Sequence, residues 1–254
     1  MYVSSSIIQN NFGKYLKACE EENVIITKNG KKRALLLGYP RDNDGFEAGE
    51  PHADYGTPPR QKSGVTYREF LALTEKSEQR YELIDGVVYA MASPGFTHQS
   101  VIGRLHILFA RHFASHRVCK PYLSPFDVDL VRESIRKKRE VTEDDINVVQ
   151  PDLMVLCDTE GRIDEKDRYK GTPALVIEVL SASTRGKDRI KKLDLYMDGG
   201  VAECWIVDPE AVTISVFTFA SHELEHDAVY SAGSAAASRL FPGLQVAVEE
   251  VFTG

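Results

Sequence analysis

The 254-residue chain has no apolar run long enough to cross a membrane, and its start, MYVSSSIIQN, lacks the basic opening and apolar body of a secretory signal. A cytoplasmic protein with no membrane partner is expected. Cysteine is scarce: Cys19, Cys119, Cys157 and Cys204 stand far apart, with no CxxC spacing. That pattern excludes a zinc cluster and a disulfide framework, and it predicts reduced, partly buried thiols. Excess positive charge is also absent. A net charge of −7 excludes a protein that coats nucleic acid indiscriminately. No internal repeat occurs. What is present is an ordinary globular composition, 43% hydrophobic and 27% charged, on a length that suits one substantial core with a small appended module.

Charge is spread unevenly. Residues 1–39 carry six basic side chains (Lys14, Lys17, Lys28, Lys31, Lys32, Arg33) against Glu20, Glu21 and Glu22, a net of +3, which leaves −10 for the remainder. Residues 40–64 are rich in Pro, Gly and charge and lack apolar periodicity, so they read as a linker. A larger domain follows over 65–254. In the first module, Ile8, Phe12, Tyr15, Leu16 and Cys19 recur at helical spacing and predict an amphipathic helix over 5–21. Asn29-Gly30 between two apolar runs predicts a hairpin. So small a helix–hairpin unit buries too little surface to stand alone, and a homodimer through this module is expected.

In the larger domain, a helix is predicted from Thr66 to Ser77, a hairpin in YELIDGVVYAM around Asp85-Gly86, and a second helix over 98–116. PFDVDLV, PDLMVLC, ALVIEVLS and ECWIVD read as short strands, with a charged helix over 185–198 between the last two. VTISVFTFA and DAVYSA continue as a strand pair. The fold class is α/β (α+β), with mixed strands around a central sheet and flanking helices.

One carboxylate is out of place. Glu178 sits inside the apolar strand ALVIEVLS, where an ionised group is costly unless paired or metal-bound. Pro151-Asp152 opens the preceding strand. Two carboxylates at one sheet edge suit a hard divalent cation, Mg²⁺ or Mn²⁺, which leaves coordination positions for water and phosphate. The helix after Glu178 offers Lys191 and Lys192. Asp188, Lys192 and Tyr196 share one stripe at i, i+4, i+8, beside the apolar stripe Ile190, Leu193 and Met197. That spacing turns Lys192 toward the sheet and Lys191 toward solvent; a solvated face with an Asp188–Lys192 pair is the alternative.

Other signals carry less. HELEH at 222–226 fits the H-E-x-x-H expression literally, but that zinc chemistry needs a helix, and here β-like segments flank it. His112 and His116, also spaced i, i+4, read as surface residues. Arg136, Lys137, Lys138 and Arg139 fall in a charged loop or long hairpin before the acidic strand and are candidates for DNA contact.

Two resemblances follow from these stretches. SSSIIQNNFGKYLKACEEENVIITKNGKKRALLL resembles the DNA-binding half of the prevent-host-death antitoxin family, which implies a dimer that binds DNA; the toxin-wrapping tail of that family is replaced by the linker. Pro151-Asp152 and Glu178 resemble the PD-(D/E)XK nuclease signature, except that its lysine position is Leu180. YELIDGVVYAM, His98, QPDLMVLC, IEVLSAST, Asp188, Lys192, Tyr196 and GGVAECWIVDP together resemble the Uma family of restriction-endonuclease-type proteins, over roughly residues 66–252. This resemblance implies a restriction-endonuclease-like fold and Mg²⁺-dependent hydrolysis of duplex DNA. Asp152 and Glu178 would bind metal, Lys192 would replace the lysine missing at Leu180, and Glu82 would be a further catalytic acid. His98, Asp188 and Tyr196 would be accessory. A catalytically inactive DNA-binding regulator on the same fold is the alternative expectation.

Overall fold

The computed structural model describes residues 2–4, 7–8, 12–19, 24–28, 31–36, 64–115, 118–165, 168–181 and 191–253. The chain forms two compact units, Met1–Gly64 and Val65–Gly254. Among the described residues no helix is long and apolar enough to cross a membrane.

The first unit contains β1 (Tyr2–Ser4), α1 (Phe12–Ala18), β2 (Val24–Lys28) and β3 (Lys31–Leu36). β2 and β3 pair antiparallel with Lys28 opposite Lys31; the Asn29-Gly30 turn itself lies outside the described residues. β1 adds a parallel strand beside β2, an element the sequence reading did not contain. Val3, Ile8, Cys19 and Val24 form a small core, with Tyr15 and Leu36 packed on it. Phe12 and Leu16, on the same apolar stripe, are exposed.

In the second unit, α2 (Tyr67–Thr74) starts where Thr66 and Glu69 close a capping box, in which each side chain satisfies the other residue's backbone N–H. β4 (Tyr81–Ile84) and β5 (Val87–Ala90) form a hairpin. Its turn residues Asp85 and Gly86 have φ of 51° and 78°, the left-handed pair that matches strand twist. α3 (Phe96–His112) buries Val101, Ile102, Leu105 and Phe109 on one face. There follow β6 (Lys120–Leu123), β7 (Val128–Val131), the short α4 (Glu133–Arg136), β8 (Ile146–Val149), β9 (Leu153–Leu156) and β10 (Leu175–Val179). α5 (Leu193–Asp198), β11 (Glu203–Asp208), β12 (Thr213–Ala220), β13 (Glu223–Tyr230), β14 (Ala235–Ala237), β15 (Gln245–Ala247) and α6 (Val248–Phe252) complete the unit.

The central sheet is mixed and six-stranded, in the order β13-β12-β11-β10-β9-β6. Only its β10–β11 pair is parallel, and a parallel pair requires a crossover, which carries α5. A separate four-stranded sheet, β5-β4-β8-β7, stands beside it; the sequence reading did not separate the two. Strand alternation divides β10. Leu175, Ile177 and Val179 join Trp205, Val207 and the apolar face of α3 in the main core, where Phe109 meets Trp205 edge to face at 5.4 Å between ring centroids. Removing either ring would cost about 3–5 kcal/mol. Val176 and Glu178 fall on the opposite face.

Three readings need correction or sharpening. Cys119 and Cys157 are not free thiols but a disulfide. Lys120 pairs with Leu156 across β6 and β9, so the next positions outward, 119 and 157, face each other; a non-local register brings together residues that no local spacing connected. Cys19 and Cys204 are free and buried. HELEH spans the β12–β13 turn, where Ser221 and His222 have φ of 51° and 61°, and then enters β13; His222 and His226 do not lie on a helix. The basic segment is the long connection of the antiparallel β7–β8 hairpin, as expected; it opens with α4, carries Lys137, Lys138 and Arg139 outside any helix, and closes in a 3₁₀ turn, Glu143–Asp145.

Candidate active site

The odd residues of β10 pack on α3, so Glu178 emerges toward α5. The antiparallel register that sets Ile177 opposite Leu153 continues to Glu178 opposite Asp152. Asp152 is held from two sides. Its Oδ2 accepts the Val179 N–H at 2.8 Å, and His98 Nε2, from the first turn of α3, stands 3.3 Å from the same oxygen.

Glu82 comes from the other sheet. Leu83 packs with Tyr67, Phe70 and Val148, so alternation sends Glu82 to the opposite face, paired across the hairpin with Tyr89. Its Oε1 accepts the Gln150 N–H at 2.8 Å.

Lys192 joins the two sheets. Its ammonium lies 2.8 Å from Glu82 Oε1 and 3.0 Å from Glu178 Oε1. Glu82, Glu178 and Lys192 are 5%, 3% and 3% exposed, and at that burial an unpaired charge would be costly. One turn along α5, the Tyr196 hydroxyl donates to the same Glu178 oxygen. Burial first, then the negative Glu178 and Glu82, push the Tyr196 phenol well above its ordinary 10.0, so it remains a donor. Burial likewise raises the Cys204 thiol well above 9.0. Leu180, where the nuclease signature would carry its lysine, is buried and apolar.

These groups share a cleft of about 450 Å³ whose lining includes Glu82, His98, Asp152, Glu178, Lys191 and Lys192. Tyr196 stands behind Glu178, fully buried. Asp188 lies outside the described residues. Arg136, Lys137, Lys138 and Arg139 do not line the cleft. Arg139 is held by Asp145, and that guanidinium lowers the Asp145 carboxyl to about 2. Arg132, at the head of the same segment, bonds Asp85 and Asp194.

Sequence reasoning missed Gln150, Arg80, Tyr89 and the cleft position of Lys191. Gln150 ties the acidic cluster to its wall: its backbone serves Glu82, while its side chain accepts from Arg80 at 2.8 Å and donates to Asp127 at 2.7 Å. Its place directly before Pro151-Asp152 was the available signal. Lys191 is exposed, as expected, yet its ammonium donates to the Tyr89 hydroxyl at 2.7 Å.

The donor chemistry suits a hard cation. Three carboxylates face one cleft, and Lys192 is the ammonium paired with two of them. Among the described residues no three His, Cys, Asp or Glu side chains converge as a ready-made ligand cluster. Magnesium needs only one or two carboxylates and completes its shell with water or phosphate.

The model of the Uma2 family, described as "Putative restriction endonuclease", matches residues 67–249. A curated protein of Synechocystis sp., "Uncharacterized protein slr1290", is 28% identical over 150 residues, 59% of this chain and 71% of the relative. A solved structure described as "a putative nuclease belonging to DUF820 from Anabaena variabilis" superposes with a TM-score of 0.55 at 18% identity, over 74% of this chain and 97% of its own. At that identity the likeness concerns the fold.

Proposed function

The chain belongs to the Uma2 family, and from that premise we propose that its cleft is the centre of a metal-dependent endonuclease that hydrolyses phosphodiester bonds in duplex DNA. One arrangement carries the reading: a buried lysine directly before α5 meets carboxylates of two sheets, in the same cleft as Asp152, whereas the position two residues after Glu178 holds Leu180.

Asp152 and Glu178 would hold Mg²⁺ or Mn²⁺. When bound, such an ion polarises the phosphoryl oxygens and lowers the pKa of a coordinated water. The Val179 N–H and His98 fix the Asp152 carboxylate before any ligand arrives. Tyr196 and Lys192 fix Glu178 in the same way. Lys192 also places its ammonium beside the carboxylates, where negative charge grows on the phosphate in the transition state, and such preset charge commonly contributes 10²–10³-fold in rate. Glu82 keeps that ammonium in register and is itself held by the Gln150 N–H.

Supercoiled plasmid tests the proposal. The wild-type chain should nick or linearise it with Mg²⁺ or Mn²⁺ present and not in chelator, and Asp152→Asn should abolish cutting. Binding of plasmid without scission under either metal would instead support a DNA-binding regulator on a nuclease fold.

A further inference from the structure

Among the described residues, two cations of the cleft have no carboxylate partner. Arg80, directly before β4, donates from Nε to Gln150 Oε1 at 2.8 Å and from Nη2 to the Ser124 hydroxyl. Lys191 stands 5.1 Å from the centroid of the Tyr89 ring and donates to its hydroxyl. Both line the cleft. Among the described residues, every partner of these two groups is neutral, in contrast to Lys192, which two carboxylates compensate. Neutral acceptors fix a cation's position without cancelling its charge, so each remains attractive to an anion.

Both are tied to the frame of the acidic cluster. Arg80 is joined to Asp152 through Ser124, which donates its N–H to the Asp152 carbonyl, and the Arg80 carbonyl accepts the Met91 N–H at the end of the β4–β5 hairpin. Lys191 is joined to the same hairpin through Tyr89, the residue paired with Glu82. The three carboxylates line the same cleft. A compact single anion would be repelled by those carboxylates, whereas a chain of regularly spaced phosphates can set one group over a cation held there and its neighbours against Arg80 and Lys191.

We propose that Arg80 and Lys191 bind the backbone phosphates that flank the scissile one, and so fix the register of the nucleic-acid strand in the cleft. The inference rests on the nuclease reading above. Arg80 is a positioning residue held by Gln150, the residue whose backbone also holds Glu82. The strand's register and the acidic cluster are therefore anchored at one point.

The test measures binding of a fluorescein-labelled duplex oligonucleotide by anisotropy across a salt series, with Mg²⁺ present, on the Asp152→Asn protein so that the duplex stays intact. Arg80→Gln and Lys191→Gln should each weaken binding several-fold and reduce the slope of log affinity against log salt by about 0.9. Arg80→Lys, which keeps the charge, should recover the slope. If Arg80→Gln does not fold, Lys191→Gln decides the matter, since that side chain is exposed. Unchanged slopes for the glutamine variants, with the parent binding well, would overturn this inference and leave the nuclease reading standing. A parent that fails to bind duplex would overturn both.

Discussion

Lys192 is the residue on which the acidic cluster depends. With its ammonium removed, two buried carboxylates lose their counter-charge, so Lys192→Met should destabilise the domain by about 3–5 kcal/mol and abolish cutting. Tyr196→Phe removes one hydrogen bond to a charged group and should cost about 2 kcal/mol. The two are separable by urea unfolding across pH. The Tyr196 phenol is raised above its ordinary 10.0 in the folded chain, so its contribution is complete below pH 10 and is lost as pH rises toward the folded value. The stability gap between wild type and Tyr196→Phe should therefore be constant below pH 10 and narrow above it; a gap that widens there would contradict the assigned donor. Much of this site was legible at the residue scale. Glu178 announced itself as a charge in an apolar strand; the i, i+4 spacing put Lys192 and Tyr196 on one stripe but left a solvated Asp188–Lys192 face equally open, and the resemblance favoured Lys192 at the site. Glu82 was legible only through resemblance, because a carboxylate at the head of a half-buried strand looks like an ordinary exposed one. Arg80 and Gln150 gave no periodic signal at all, since their roles arise from contacts between sequence-distant loops.

At the scale of elements, the β4–β5 hairpin positions Glu82, and its turn fixes the strand register. Gly86 sits at φ 78°, a conformation that costs an L side chain about 1–2 kcal/mol. Gly86→Ala should lower stability by that amount and, through Glu82, reduce cutting; thermal unfolding and plasmid cleavage measure the two. Elements with local punctuation were readable: the Asp-Gly turn, the Thr66 cap, and the 3.6-residue stripe of α3. What could not be read was pairing between distant strands. The Cys119–Cys157 disulfide, the division into six- and four-stranded sheets and the parallel β1 all depend on long-range register, to which spacing along the chain is blind. The HELEH hairpin, by contrast, was legible from its β-like flanks, and its two histidines do not share a helical face.

The whole molecule consists of two units of opposite charge balance, and the family match begins at residue 67, after the first of them. In that unit Phe12 and Leu16, one turn apart on α1, are 51% and 43% exposed, an apolar stripe on one face of that helix. We propose that it is where two copies of the chain associate. Sedimentation should give a dimer for the wild type and a monomer for Phe12→Asp; an unchanged dimer would move the interface elsewhere. The nuclease reading depends on what the acidic cleft holds, and anomalous diffraction from manganese-soaked crystals addresses that directly. A peak within coordination distance of both Asp152 and Glu178, with the Lys192 ammonium beside it, is the expected result. No peak there under saturating manganese would contradict the site.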